Sequence, residues 1–209
     1  MTESSTVHRT QVEPGIWLVE LDRPERLNAI SEELLEDLHA QLRWLAEDLQ
    51  AQASCRVVVL TGRGRGFCAG LDLQQRDGDP LGPLERPAQQ RMRLQKRIAA
   101  LVTGIRALPQ PVIAAVNGPA AGGGLALALA SDVRIAGESA RFGDAFVRIG
   151  LSGCDIGVSW LLPRLIGASR AFELLLTGRV IDAAEADRIG LVSRVVPDGE
   201  LLAAALDVA

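Results

Sequence analysis

Apolar and polar positions follow one another along the chain in blocks of distinct period. Val7 to Val12 and Ile16 to Leu21 bracket Glu13-Pro14-Gly15, a pattern that predicts a β-hairpin. Leu35, Leu38, Leu42, Leu45 and Leu49 step by three and four, so Ser31 to Ala51 predicts one amphipathic helix, with Ser31 as N-cap and Glu32 and Glu33 in its first turn. Arg56 to Thr61 is continuously apolar after its first residue, as in a strand covered on both faces. Leu94, Ile98, Leu101, Ile105 and Leu108 mark a second long helix, stopped by Pro109 and Pro111. Between these lies Arg76 to Arg86, polar and rich in glycine and proline, which reads as a mobile loop.

The stretch from Pro111 to Asp132 organises the rest. It reads as a buried strand, a turn at Asn117-Gly118-Pro119, three glycines and a short apolar helix. Its length matches the roughly 20 residues of a membrane span, but its prolines and glycines break it into separate elements. Val133 to Ala136 and Leu191 to Val196 predict further strands. Gly157 to Leu165, Ala168 to Leu176 and Ala183 to Ile189 predict helices. Strand and helix alternate, so the fold class is α/β, in one domain without internal repeat or linker.

Composition narrows the chemistry. The 209 residues are 48% hydrophobic with net charge −4, which suits a sizeable core and argues against a nucleic-acid surface. The N-terminus lacks the apolar core of a signal peptide. Three cysteines without paired spacing fit a reducing, cytoplasmic setting and no metal site. There is no tyrosine, and of the two histidines His39 is expected to be solvated on its helix. The loop from Gly62 to Asp72 follows a strand, yet Phe67 stands where a dinucleotide fingerprint needs glycine, and no Gly-Lys-Ser/Thr follows; a nucleotide-dependent oxidoreductase is disfavoured. If the two buried strands are neighbours, the turn at Ala69-Gly70-Leu71-Asp72 and the turn at Gly122-Gly123-Gly124 lie at one edge of the sheet. Their N–H groups then converge on one oxygen, an oxyanion hole. The alternative is that the glycines only permit close packing.

The motifs FCAGLD, PVIAAVNGPAAGGG, SDVRIA, RFGDAFVRIGL and LLPRLIG, followed by LLLTGRVIDAAEADRIGLVSRVV, resemble the crotonase superfamily, also called the enoyl-CoA hydratase/isomerase family. The resemblance runs from Val12 to Leu202. It implies a spiral of ββα turns, trimers or pairs of trimers, and an acyl-coenzyme A thioester as substrate, with coenzyme A part of the substrate and no separate cofactor. The family's oxyanion donors fall on the N–H groups of Leu71 and Gly123. The loop containing Arg26, Leu27, Asn28 and Ala29, together with Ala69 and Asp72, matches positions near the coenzyme A chain. Residues 1–197 correspond to the spiral core and 198–209 to the start of a C-terminal helical region, shortened or absent here, that relatives carry further; a complete chain would leave some apolar surface uncovered, and a truncated one would not.

Two residues depart from the family pattern. Its hydratases use two glutamates, and the matching residues are Ala126 and Phe146, the latter expected to line the substrate site. Neither moves a proton. Asp155 remains, at a position where some related isomerases and dehalogenases carry an aspartate; its other reading is a helix N-cap. Asp144 is expected in solvent or paired with an arginine. Cys68 and Cys154 are expected to be small buried residues, and Arg23, Arg26, Arg63 and Arg65 are candidates for the coenzyme phosphates. The resulting expectation is an acyl-CoA enzyme that stabilises a thioester enolate, with isomerisation favoured over hydration. Hydration, and a non-catalytic acyl-CoA binder or assembly partner, stay open.

Overall fold

A computed structural model describes residues 5–73, 88–154 and 156–209. In chain order the elements are β1 (Val7–Glu13), β2 (Ile16–Leu21), α1 (Glu32–Glu47), α2 (Leu49–Ser54), β3 (Val57–Gly62), α3 (Ala88–Ala107), β4 (Val112–Val116), β5 (Pro119–Ala121), α4 (Gly123–Ala130), β6 (Val133–Gly137), β7 (Arg141–Gly143), α5 (Val158–Ile166), α6 (Ala168–Thr177), β8 (Val180–Asp182), α7 (Ala183–Arg188), β9 (Arg194–Val196) and α8 (Leu201–Val208). Short 3-10 turns sit at Pro24–Arg26, Val147–Ile149 and Asp198–Glu200.

The described residues form a six-stranded sheet in the order β1-β2-β3-β4-β6-β9, parallel except for the β1–β2 hairpin, and a smaller sheet β5-β7-β8. Alternation along the strands sends side chains to two apolar layers. Val58, Leu60, Val112 and Ala114 face a core shared with α1, α3 and α4, whereas Val59, Ile113 and Ile135 pack under Leu201 and Ala205 of α8. This double burial is why β3 and β4 read as unbroken apolar runs.

Helix α1 stops before the predicted Ala51. Asp48 adopts an extended conformation, and its carboxylate accepts the Ala51 N–H at 3.3 Å, so a second helix starts there. A short acidic side chain competes with the helical backbone in this way. His39 is not simply solvated: it is half-buried, and its Nε2 lies 2.9 Å from the Arg97 carbonyl oxygen, tying α1 to α3. The segment Arg76 to Arg86 lies outside the described residues. On α5 and α6, Trp160, Phe172 and Leu176 are exposed. Among the described residues no helix is long and apolar enough to cross a membrane.

Candidate functional site

β3 and β4 are parallel neighbours, with Val58 opposite Val112 and Leu60 opposite Ala114. The segments that follow them therefore leave the same edge of the sheet. Asn117 fastens the first of them: its Nδ2 donates to the Gly62 carbonyl at 2.7 Å and to the Gly64 carbonyl at 2.9 Å. Asn28, fully buried, donates to the Gly66 carbonyl at 2.7 Å and to the Arg63 carbonyl at 3.0 Å. Beyond Phe67 the chain runs as a short extended segment between two others. On one side, the Cys68 N–H donates to the Pro119 carbonyl and the Ala121 N–H to the Cys68 carbonyl, both at 3.0 Å. On the other, Ile30 N–H donates to the Gly70 carbonyl at 2.7 Å and Asp72 N–H to the Ile30 carbonyl at 3.0 Å.

Two glycines make this approach possible. Gly70 has φ +89°, a left-handed conformation that L side chains rarely adopt. A β-carbon on Gly124 would lie 1.9 Å from the Cys68 carbonyl oxygen, so only glycine fits there. The Gly122 N–H is taken by the Gly143 carbonyl at 3.0 Å, which locks the glycine turn to β7.

Two amides remain. Gly123 opens α4, and its N–H is one of the orphan donors of a helix start. Leu71 follows the Gly70 turn. Among the described residues neither N–H donates to any acceptor. They belong to touching segments: a β-carbon on Gly123 would lie 3.6 Å from the Gly70 α-carbon and 4.0 Å from its carbonyl carbon, the atom bonded to the Leu71 nitrogen. Both residues line a cleft of ≈ 620 Å³, open mouth included. Its walls are Ile30, Ala69 and Leu73, then Gln95 and Ile98 from α3, and Ala145, Phe146, Ile149, Leu151 and Ile156. No described lining side chain titrates. Two such donors, one of them at a helix start, beside an apolar cleft suit one oxygen atom that takes up negative charge.

Of the residues expected at the site, Leu71, Gly123, Ala69 and Phe146 line this cleft together. Arg26, Leu27 and Asp72 are not in its described lining. Asp72 is buried and pairs with Arg23 at 3.0 Å and with Arg26 at 3.6 Å, while Leu27 and Asn28 both hold positive φ. Ala126 is fully buried within α4, its N–H bonded to the Gly122 carbonyl, and it does not line the cleft. Asp155 lies outside the described residues; the N-cap position of α5 is Gly157. Sequence reasoning passed over Gln95 and Ile30. The three-residue step from Gln95 to Ile98 along one helix face was the available signal for Gln95.

The expectations for Asp144 and Cys154 fail on contact. Asp144 is neither solvated nor paired with an arginine: it is 1% exposed, and no described side chain donates to its carboxyl. Burial pushes its carboxyl up to about 6, a shift the nearby Phe146 backbone amide offsets only in part. Arg63 pairs with Asp22 at 2.6 Å and Glu20 at 3.3 Å. Cys68 is fully buried, its thiol pushed up to about 12 by desolvation, but Cys154 is exposed rather than buried. Among the described residues no cluster of histidine, cysteine and carboxylate side chains could hold a metal.

The sequence pattern of the family described as "Enoyl-CoA hydratase/isomerase" matches residues 11–209. A Mycobacterium bovis protein named "Probable enoyl-CoA hydratase echA12" is 47% identical over 98% of this chain and 72% of its own length. The "1,2-epoxyphenylacetyl-CoA isomerase" of Escherichia coli is 43% identical over 92% of this chain and 70% of its own. A crystal structure of an enoyl-CoA hydratase from Bacillus anthracis superposes with TM-score 0.87 at 39% identity, over 97% of this chain and 74% of that one. The chain therefore belongs to the enoyl-CoA hydratase/isomerase family.

Proposed function

We propose that the cleft takes the acyl part of a coenzyme A thioester, with the thioester carbonyl oxygen between the amides of Leu71 and Gly123. The observation that carries this reading is the pair of unpartnered N–H groups on touching turns at the cleft. When a proton leaves the carbon next to the thioester, negative charge moves onto that oxygen. Donors already fixed in place stabilise it without reorganising, and losing one such donor typically costs ~100- to 1000-fold in rate. The positive end of the α4 dipole adds to the effect. Coenzyme A enters as part of the substrate. Arg26 and Leu27, with Ala69 and Asp72, are the proposed neighbours of its chain, and the ion pairs of Asp72 with Arg23 and Arg26 hold that loop in shape.

We assign double-bond isomerisation rather than hydration. Hydration needs groups that activate and place water, and Ala126 and Phe146 stand where the family's hydratases have glutamates. Isomerisation needs one group that takes a proton from one carbon and returns it to another, and Asp155 is proposed for that role. The Escherichia coli relative is named an isomerase and the Mycobacterium bovis relative a hydratase, so the assignment rests on this chain's own side chains. The exposed Trp160, Phe172 and Leu176 suit association with further copies of the chain, which light scattering of the purified protein measures.

The test is turnover of 2-enoyl-CoA and 3-enoyl-CoA by the wild type and Asp155→Asn, with products separated by chromatography. A shifted double bond without hydroxyacyl product, slowed by at least ~100-fold in the variant, is the expected result. Hydroxyacyl-CoA as the main product overturns isomerisation. Equal rates in the two proteins remove Asp155 from the mechanism.

A further inference from the structure

Asp144 holds two buried carboxyl oxygens with no side-chain donor among the described residues, and only the Phe146 backbone amide favours its charged form. Native proteins leave few such groups unpaired, and each one calls for a physical account. Its place in the chain supplies one. It follows β7, whose Gly143 carbonyl accepts the Gly122 N–H, and it precedes Ala145 and Phe146 in the cleft lining. Its Oδ2 also lies against Gly153, where a β-carbon would approach to 3.1 Å. Asp144 therefore touches, near both ends, the wall segment 145–154 that contributes Phe146, Ile149 and Leu151 to the cleft.

Its other surroundings are mostly apolar. Leu125 of α4, Leu162 of α5, Leu174 of α6 and Ile181 of β8 share a small cavity with it. Among the described residues Arg179 is the charged side chain lining that cavity, and its guanidinium is engaged by Glu185 at 2.8 Å and by Glu173. Arg148 passes Gly178, as the Asp144 carbonyl does, but it is exposed. The next acid along the chain, Asp155, lies outside the described residues.

We propose that Asp144 is a positioning residue of the cleft: its neutral carboxyl keeps the wall from Ala145 to Cys154 packed, and its ionisation loosens that wall. A buried anion with no side-chain donor gains free energy by reaching water, whereas a neutral carboxyl gains little. Among the described residues the wall's 3-10 turn is held by local bonds alone: Arg148 N–H to the Ala145 carbonyl at 3.2 Å, Ile149 and Leu151 N–H to the Phe146 carbonyl at 3.1 and 2.9 Å, and Gly150 N–H to the Val147 carbonyl at 3.3 Å. The packed state titrates near 6 and the opened state near the ordinary 3.8, so opening becomes easier as pH rises between those values and levels off above. The bearing of this movement on acyl-CoA affinity rests on the function proposed above.

The experiment is hydrogen exchange of the Ile149 and Leu151 amides in the ligand-free protein from pH 4.5 to 7.5, corrected for intrinsic exchange, in wild type, Asp144→Asn and Asp155→Asn. Wild-type protection is expected to fall by up to about tenfold per pH unit until about pH 6 and then to level off. Asp144→Asn is expected to be flat, and Asp155→Asn to follow the wild type. A pH-independent wild-type curve overturns the proposal, even if the Asp144→Asn variant does not fold. So does an Asp144→Asn curve that tracks the wild type. In parallel, the affinity of wild type for hexanoyl-CoA relative to Asp144→Asn is expected to fall over the same window. A wall that responds to pH in a protein that never binds hexanoyl-CoA supports the positioning role and overturns the acyl-CoA reading of the cleft.

Discussion

The α-carbon of Gly70 stands against the amide of Gly123: a β-carbon added to Gly70 would lie 3.3 Å from the Gly123 nitrogen and 2.7 Å from the Ala121 carbonyl oxygen. One turn thus fixes the distance at which the other presents its N–H. Gly70→Ala must either push the glycine turn away or rotate Leu71 out of line, and its φ of +89° resists any L side chain. We expect a rate loss of ~100- to 1000-fold in acyl-CoA turnover. The overall fold, followed by circular dichroism, is expected to persist. A variant with near wild-type rate overturns the role given to these two amides.

Asn28 performs a similar task for the loop that carries Arg26 and Leu27. Its side chain joins the Arg63 and Gly66 carbonyls and accepts the Arg23 N–H at 2.8 Å, from a residue held at φ +56°. Asn28→Ala removes these bonds inside a sealed site and leaves the backbone groups unpaired. The expected loss is about 2–4 kcal/mol in urea-induced unfolding, together with weakened binding of coenzyme A thioesters. A loss below about 1 kcal/mol would show that water replaces the amide without difficulty.

The raised titration of Asp144 has a thermodynamic sign of its own. Its folded value of about 6 lies above the ordinary 3.8, so the folded state binds the proton more tightly. The penalty for burying the anion is absent below about pH 4, grows as pH rises, and is complete above about pH 6. The gap of about two units corresponds to about 3 kcal/mol. Asp144→Asn is therefore expected to gain stability relative to wild type as pH is raised from 4 to 7. The measurement is the difference between their unfolding free energies at several pH values, and a difference that does not change with pH contradicts the assignment.

Thiol chemistry gives a simpler check on packing. Cys154 is exposed, whereas desolvation pushes Cys55 up to about 11 and Cys68 up to about 12. A thiol-specific reagent at pH 8 is expected to label Cys154 rapidly in the folded protein and the other two only after unfolding. Early labelling of Cys68 would mean that the strand edge beneath the Gly70 turn opens readily.

Much of the fold was legible because its larger elements repeat a pattern. The leucine steps of α1 and the apolar runs of β3 and β4 are long enough to carry a period, and the structure holds each of them. The strands β5, β7 and β8 were not legible. Each spans three residues, too few for alternation, and each exists through pairing with distant segments such as Arg141 opposite Asp182. The segment Leu191 to Val196 shortens to β9 for a related reason: Leu191 and Val192 are buried as a turn under the sheet, and pairing starts only at Arg194. Asp144 misled because a lone carboxylate is ordinarily solvated or paired. Its burial is decided by α5, α6 and β8, which the local sequence does not mention. Leu71 and Gly123 were legible as a pair only through the family resemblance, since nothing in their own spacing says that their segments touch.

The bonds that join residues 27–30, 68–72 and 119–121 have a kinetic consequence. Leu71 and Gly123 are about fifty residues apart in sequence, and Gly122 is anchored to Gly143 further on. Contacts of such long span form slowly, because chain closure must precede them. A nascent or partly refolded molecule can therefore hold the leading hairpin and helices yet stay inert. Activity should return on the slowest refolding phase, after the helical signal has recovered.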